Sequence, residues 1–172
     1  MNPIKKQILF SQPFFNPVRR LGDFSSMRLS GPNEFPDPKT ISEEEFIRLI
    51  KLALDKGDPN FNFCANRILC NNFSLLEYIF EIIATKNVVK TINLNGIWLS
   101  EIEPSELIRV FSKIPKSIEK LHLEYNNLES LDDSVLKKLV QILCVDAREV
   151  NLKNNNIDLK KKYGRERFSN SS

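Results

Sequence analysis

Leu121 to Leu128 reads Leu-His-Leu-Glu-Tyr-Asn-Asn-Leu, and this pattern returns on both sides of itself at a fixed spacing. Twenty-nine residues downstream, Val150 to Ile157 reads Val-Asn-Leu-Lys-Asn-Asn-Asn-Ile. Twenty-nine upstream, Ile92 to Leu99 reads Ile-Asn-Leu-Asn-Gly-Ile-Trp-Leu, with Ile97 where the other two carry Asn126 and Asn155. A fainter copy lies 31 residues earlier, at Phe61 to Ile68, Phe-Asn-Phe-Cys-Ala-Asn-Arg-Ile. Side chains alternate along a strand, so Phe61 and Phe63, Ile92 and Leu94, Leu121 and Leu123, and Val150 and Leu152 should all point inward. Stacking the copies would join them into one core, which no single unit of this length could bury alone.

The pattern L-x-L-x-x-N-x-L at this spacing resembles the leucine-rich repeat, in particular its long, ribonuclease-inhibitor-like class. The resemblance covers Asp58 to Asp158. It implies an α/β fold, a right-handed α/β solenoid with a short parallel sheet on the concave face and helices on the convex face. It also implies that the Asn66, Asn126 and Asn155 side chains bond to the backbone of adjacent turns, satisfying polar groups where the chain bends. Ile97 cannot make such bonds, so irregularity is expected in the second repeat.

Composition divides the chain into three parts. Residues 1–41 hold six of the nine prolines and carry net charge +3, and residues 158–172 also carry +3, leaving the central 42–157 at −3. The proline density opposes regular structure in 1–41, while Phe10, Phe14, Phe15, Phe24 and Phe35 are too many aromatics for a plain solvated tail. This segment is expected to lie over the first repeat as a cap, with a partner-docking arm as the other reading. Helices are expected from Ser42-Glu43-Glu44-Glu45, from Ser74 with Glu77, at Pro104, and at Asp132 or Asp133. The first two have capping-box spacing. The tail from Asp158, with Lys160-Lys161-Lys162, Arg165 and Arg167, is a candidate for nuclear localisation or anionic lipid, against the plainer reading of a solvated end.

The residues between the inward positions form the expected binding face. Its rows are Asn60, Thr91, Lys120 and Glu149; then Asn62, Asn93, His122 and Asn151; then Cys64, Asn95, Glu124 and Lys153. Amides and mixed charge favour a polar protein surface over an apolar ligand. Trp98 and Tyr125 follow adjacent strands, and such aromatics often dominate binding energy, with Trp98 packed under its own loop as an irregular core residue as the other reading. The partner-binding set is therefore Asn93, Asn95, Trp98, Lys120, His122, Glu124, Tyr125, Asn151 and Lys153.

Enzymatic chemistry is not expected. His122 is the sole histidine, and Cys64, Cys70 and Cys144 have no zinc-ligand spacing, so neither metal nor cofactor is foreseen. Cys64 and His122 would lie two strands apart, about 10 Å, beyond the reach of a nucleophile–base pair. No phosphate-binding glycine loop or nucleophile elbow occurs. The odd cysteine count fits free thiols in a reducing, cytoplasmic compartment, and no apolar run approaches a membrane span. Nothing in the centre forms the basic stripe of a nucleic-acid reader.

The expected function is that of a monomeric protein–protein interaction module. Sixteen lysines against nine arginines, with 18 asparagines, suggest an AT-rich coding sequence. With a short stand-alone array, this resembles the leucine-rich effectors that intracellular bacterial pathogens deliver into host cells. That resemblance implies a virulence role, translocation to the host cytosol and a host protein as partner. Long leucine-rich repeats also occur in the family that activates the GTPase Ran, which implies the alternative of a regulator of a nucleotide-dependent enzyme. None of the loop residues such an activator needs can be matched here.

Overall fold

A parallel sheet of five strands, in the order β1-β5-β4-β3-β2, organises the computed structural model, which describes residues 7–9, 42–146 and 149–157. The strands are β1 (Gln7–Leu9), β2 (Asn60–Asn62), β3 (Thr91–Asn93), β4 (Lys120–His122) and β5 (Glu149–Asn151). Among the described residues five α-helices accompany them: α1 (Glu43–Asp55), α2 (Arg67–Asn71), α3 (Ser74–Lys86), α4 (Pro104–Phe111) and α5 (Asp133–Asp146). The α/β class and the parallel sheet expected from the sequence are therefore present.

Register follows the spacing of the quoted segments. Phe61 pairs with Ile92, Ile92 with Leu121, and Leu121 with Val150. These four residues and their inward partners Phe63, Leu94, Leu123 and Leu152 are all buried, in one cluster with the inner faces of the helices. Burying each such side chain is worth about 1.5–3 kcal/mol, and the continuous stack supplies the neighbours that make burial possible. Packing between the helices likewise runs α1 on α3, α3 on α4 and α4 on α5.

Beyond the strands, Asn126 and Asn155 hold the bends. Asn126 Oδ1 accepts the Ile97 N–H at 2.9 Å, while its Nδ2 donates to the Leu94 carbonyl at 2.9 Å. One strand on, Asn155 Oδ1 accepts the Asn126 N–H at 2.8 Å and Nδ2 donates to the Leu123 carbonyl at 2.7 Å. Each amide thus serves the bend that precedes it in the chain. This direction relocates the expected irregularity. Ile97 deprives the bend after β2 of an acceptor, not its own, so the Asn66 N–H turns to the Phe63 carbonyl at 3.1 Å. Asn66 itself has no earlier bend to serve, and its side chain instead caps α2 by accepting from Leu69 N at 3.1 Å. Where the later bends continue into 3-10 turns at Leu99–Glu101 and Leu128–Ser130, the first continues into a short α-helix.

That helix also overturns the capping box expected at Ser74. The chain reaches α3 already helical at Phe73 (φ −66°, ψ −29°), so no extended cap position remains. Ser74 Oγ donates to Asn72 Oδ1 at 2.7 Å, and Glu77 is taken by Arg109 of α4. At α1 half of the box forms: Ser42 Oγ accepts from Glu45 N at 3.3 Å, while the Glu45 carboxylate grips Arg48 at 2.6 and 2.7 Å. The hydrogen bond from Arg48 holds Glu45 below the usual carboxylate range. Pro104 opens α4 as expected, with Glu103 accepting from Glu106 N at 3.0 Å.

The two ends of the sheet are closed by different elements. At the β2 end it is α1 that provides cover: Phe46, Ile50 and Leu54 are buried, and Phe46 meets Phe63 edge-on at 6.0 Å. The described part of 1–41 is β1, which lies at the opposite end, paired with β5 from Gln7↔Glu149 to Leu9↔Asn151. The rest of 1–41 and the basic tail 158–172 lie outside the described residues. No helix among the described residues is long and apolar enough to cross a membrane.

Leu123→Asp places a carboxylate at a fully buried position. A loss of about 4 kcal/mol or more is expected, read as absence of a cooperative melting transition. Asn155→Ala should cost about 3 kcal/mol by orphaning several buried backbone groups at once, measured by urea denaturation.

Candidate functional site

The face of the sheet turned away from the core carries the residues between the inward positions. Lys120 lies in register between Thr91 and Glu149, and His122 between Asn93 and Asn151. Pairing continues past the strands, since Gly96 N donates to the Glu124 carbonyl at 3.0 Å. The sheet therefore brings Lys120, His122, Glu124, Asn151 and Lys153 together, with the two asparagines of β3 and its bend beside them.

Those two asparagines are less available than the sequence suggested. Asn93 and Asn95 are each only 6% exposed. Asn93 Oδ1 accepts the Asn95 N–H at 2.9 Å, a local turn bond made by its own side chain. Asn95 and Glu124 clasp each other: Asn95 Nδ2 donates to Glu124 Oε2 at 3.0 Å, and Glu124 N donates to Asn95 Oδ1 at 2.7 Å. Asn95 thus fixes the half-buried Glu124 carboxylate and offers little surface of its own. Asn151 spends its Oδ1 on the Lys153 N–H at 3.1 Å in the same manner as Asn93. Lys120 Nζ sits 3.4 Å from Glu149 Oε2, so these two charges largely offset each other at the surface.

Tyr125 and Trp98 sit at different places in their bends. Residues 65, 96, 125 and 154 occupy the first left-handed position, as Ala65 (φ 51°), Gly96 (φ 64°), Tyr125 (φ 59°) and Asn154 (φ 58°). The second left-handed position holds Trp98 (φ 62°), Asn127 (φ 56°) and Asn156 (φ 52°). Tyr125 is thus the counterpart of Gly96, and Trp98 that of Asn127. Tyr125 is 40% exposed, whereas Trp98 is half-buried. Left-handed backbone is strained for bulky residues and suits Gly and Asn, the types found at most of the equivalent positions. An aromatic residue held there with two-fifths of its surface exposed gives up local stability. Gly96 and Asn154 at the same register position were the sequence signal for this strain.

No group of three or more His, Cys, Asp or Glu side chains that could hold a metal occurs among the described residues. None of the three cysteines forms a disulfide, and all are half-buried, Cys70 and Cys144 packed against the core. The helical side carries a shallow open groove between α4 and α5, lined by Pro104, Ile108, Val135 and Lys138 among others. Its guanidinium, Arg109, is already engaged by Glu77 and Glu106.

Comparison with protein-family models, with curated proteins and with solved structures found no match.

Tyr125→Asn should raise stability by about 1 kcal/mol through relief of the left-handed backbone. A higher urea midpoint with unchanged slope would show it; a lower one would mean that the ring packs more than its exposure indicates.

Proposed function

We propose that the chain is a leucine-rich repeat protein of the ribonuclease-inhibitor-like class, and that it acts by binding a protein partner through the sheet face centred on β4. The observation that carries the repeat reading is the asparagine relay. Asn126 and Asn155 make the same bonds one strand apart, over the same 29-residue separation, and the left-handed backbone positions recur with them.

Binding is favoured over catalysis by what the face offers. His122 lies two strands from Cys64, about 10 Å by strand spacing, too far for proton transfer between them. The exposed Tyr125 in strained backbone is the feature of a residue kept for contact, since aromatics at a surface dominate association energies when covered. Around it, His122, the clasped Glu124 and Lys153 supply polar and charged groups suited to another protein's polar rim. Trp98, half-buried, supports this surface, and Asn93 and Asn95 act as its fixed scaffold. Three cysteines with no disulfide between them agree with a reducing compartment such as a host cytosol. With the lysine- and asparagine-rich composition, the reading extends to a bacterial effector acting non-enzymatically on a host protein.

A pull-down from eukaryotic lysate, read by mass spectrometry, should compare wild type with a His122→Ala, Tyr125→Asn, Lys153→Ala variant. These changes leave the Asn95–Glu124 clasp intact. The expected outcome is specific loss of one protein, by at least about tenfold, given that central contact residues contribute 2 kcal/mol or more. Recovery of the same proteins by both would remove the sheet face as the site.

A further inference from the structure

The two edges of the sheet are finished in opposite ways. At β2, Phe63 and Ala65 donate inward to the Asn93 and Asn95 carbonyls, so the alternate residues 60, 62 and 64 face outward. Two of those outward donors are met by the chain's own side chains, Asn60 N by Asp58 Oδ1 at 3.0 Å and Cys64 N by Asn62 Oδ1 at 3.1 Å. Such an edge is blunted against strand addition. At β5, Glu149 donates to the Glu119 carbonyl and Asn151 accepts from Leu123, so Val150 and Leu152 turn their N–H groups away from β4. Among the described residues no side chain accepts from them. That side is taken by β1, in parallel register from Gln7↔Glu149 to Leu9↔Asn151.

The strand that fills this edge comes from far along the chain. Leu9 is joined to α1, at the other end of the sheet, through residues 10–42. Crossing four strand spacings takes about 19 Å, whereas 33 residues reach about 110 Å at full extension. Tether length therefore does not confine β1 to its own sheet. A strand from another molecule would meet the same β5 backbone and make the same contacts, the condition under which exchange between identical chains costs little.

We propose that the outer edge of β5 is a strand-addition site, and that its occupant in a dimer is the Gln7–Leu9 strand of a second copy of this chain. Because contacts in cis and in trans are equivalent, the balance is set by the effective concentration of the tethered strand, on the order of 1 mM. The protein is then a monomer when dilute and a reciprocal strand-exchanged dimer when concentrated.

Sedimentation of the full chain from about 10 μM to about 1 mM tests this, with dimer rising to about half at the upper end. The full-length Ile8→Pro, Leu9→Pro variant should stay monomeric, because adjacent residues alternate toward and away from β5 and one proline must remove a ladder donor. Monomer throughout in wild type, or a dimer that survives both prolines, would overturn the proposal. A second measurement needs no variant of the protein. A synthetic peptide of residues 1–12 carrying a spin label, titrated into wild type at millimolar concentration, should broaden the Val150 and Leu152 amide resonances, and the labelled peptide carrying both prolines should not. Equal broadening with both peptides, or none with either, would overturn it equally.

Discussion

Two buried side-chain amides, those of Asn126 and Asn155, decide how this chain turns. Each sits where a strand has ended and the backbone must reverse away from the sheet, at a depth where unpaired N–H and C=O groups are costly. An asparagine side chain presents an acceptor and two donors from one planar group, so a single residue satisfies both kinds of backbone atom. The left-handed residues on either side follow from this. With the amide bonded to backbone both in its own bend and in the preceding one, the chain must bend sharply enough to pass through φ near +55° twice. The sheet is kept in register by these bends as much as by its three-residue strands.

The relay has a direction, and the direction explains the asymmetry of the domain. Every amide serves the bend before it, so a substitution is felt one unit upstream. Ile97 is itself fully buried and its own bend is regular. The bend after β2 loses its acceptor and winds into α2, which carries the chain into α3 without a conventional cap. A bond from Asn72 Nδ2 to Glu43 and an ion pair between Lys86 and Asp55, both near 3.1 Å, then tie this region to α1. The aromatic contacts of Phe46, Phe61 and Phe63 close the same end of the core.

Much of this was legible in the sequence because it rests on alternation and on a spacing that can be counted. The inward residues and the helix starts at Ser42 and Pro104 follow from local residue types, and the parallel class and the roles of Asn126 and Asn155 from the resemblance that the spacing carries. What was not legible depends on a partner remote in sequence. Ser74 and Glu77 have capping-box spacing, but α2 and Arg109 had already determined their surroundings. Residue pattern alone does not say which way an amide relay points, so the effect of Ile97 was assigned to the wrong bend. On the candidate face, alternation correctly put Asn93 and Asn95 opposite the core. It could not reveal that short amides there turn back onto their own backbone, nor that Glu124 is held by one of them.

The placement of β1 has a consequence for how the protein is made. Neighbouring strands β2 to β5 pair across 29 to 31 residues, contacts of a local kind that form early and at modest entropic cost. The pairing of β1 with β5 spans about 140 residues, and its second partner is the last strand of the sheet in chain order. On a ribosome adding about 5–20 residues per second, Gln7–Leu9 precedes β5 by about 7–30 s and waits that long for the edge it occupies to exist. The most non-local strand pairing among the described residues thus joins the two strands made furthest apart in time, and during that interval Gln7–Leu9 is open to whatever else recognises an extended strand.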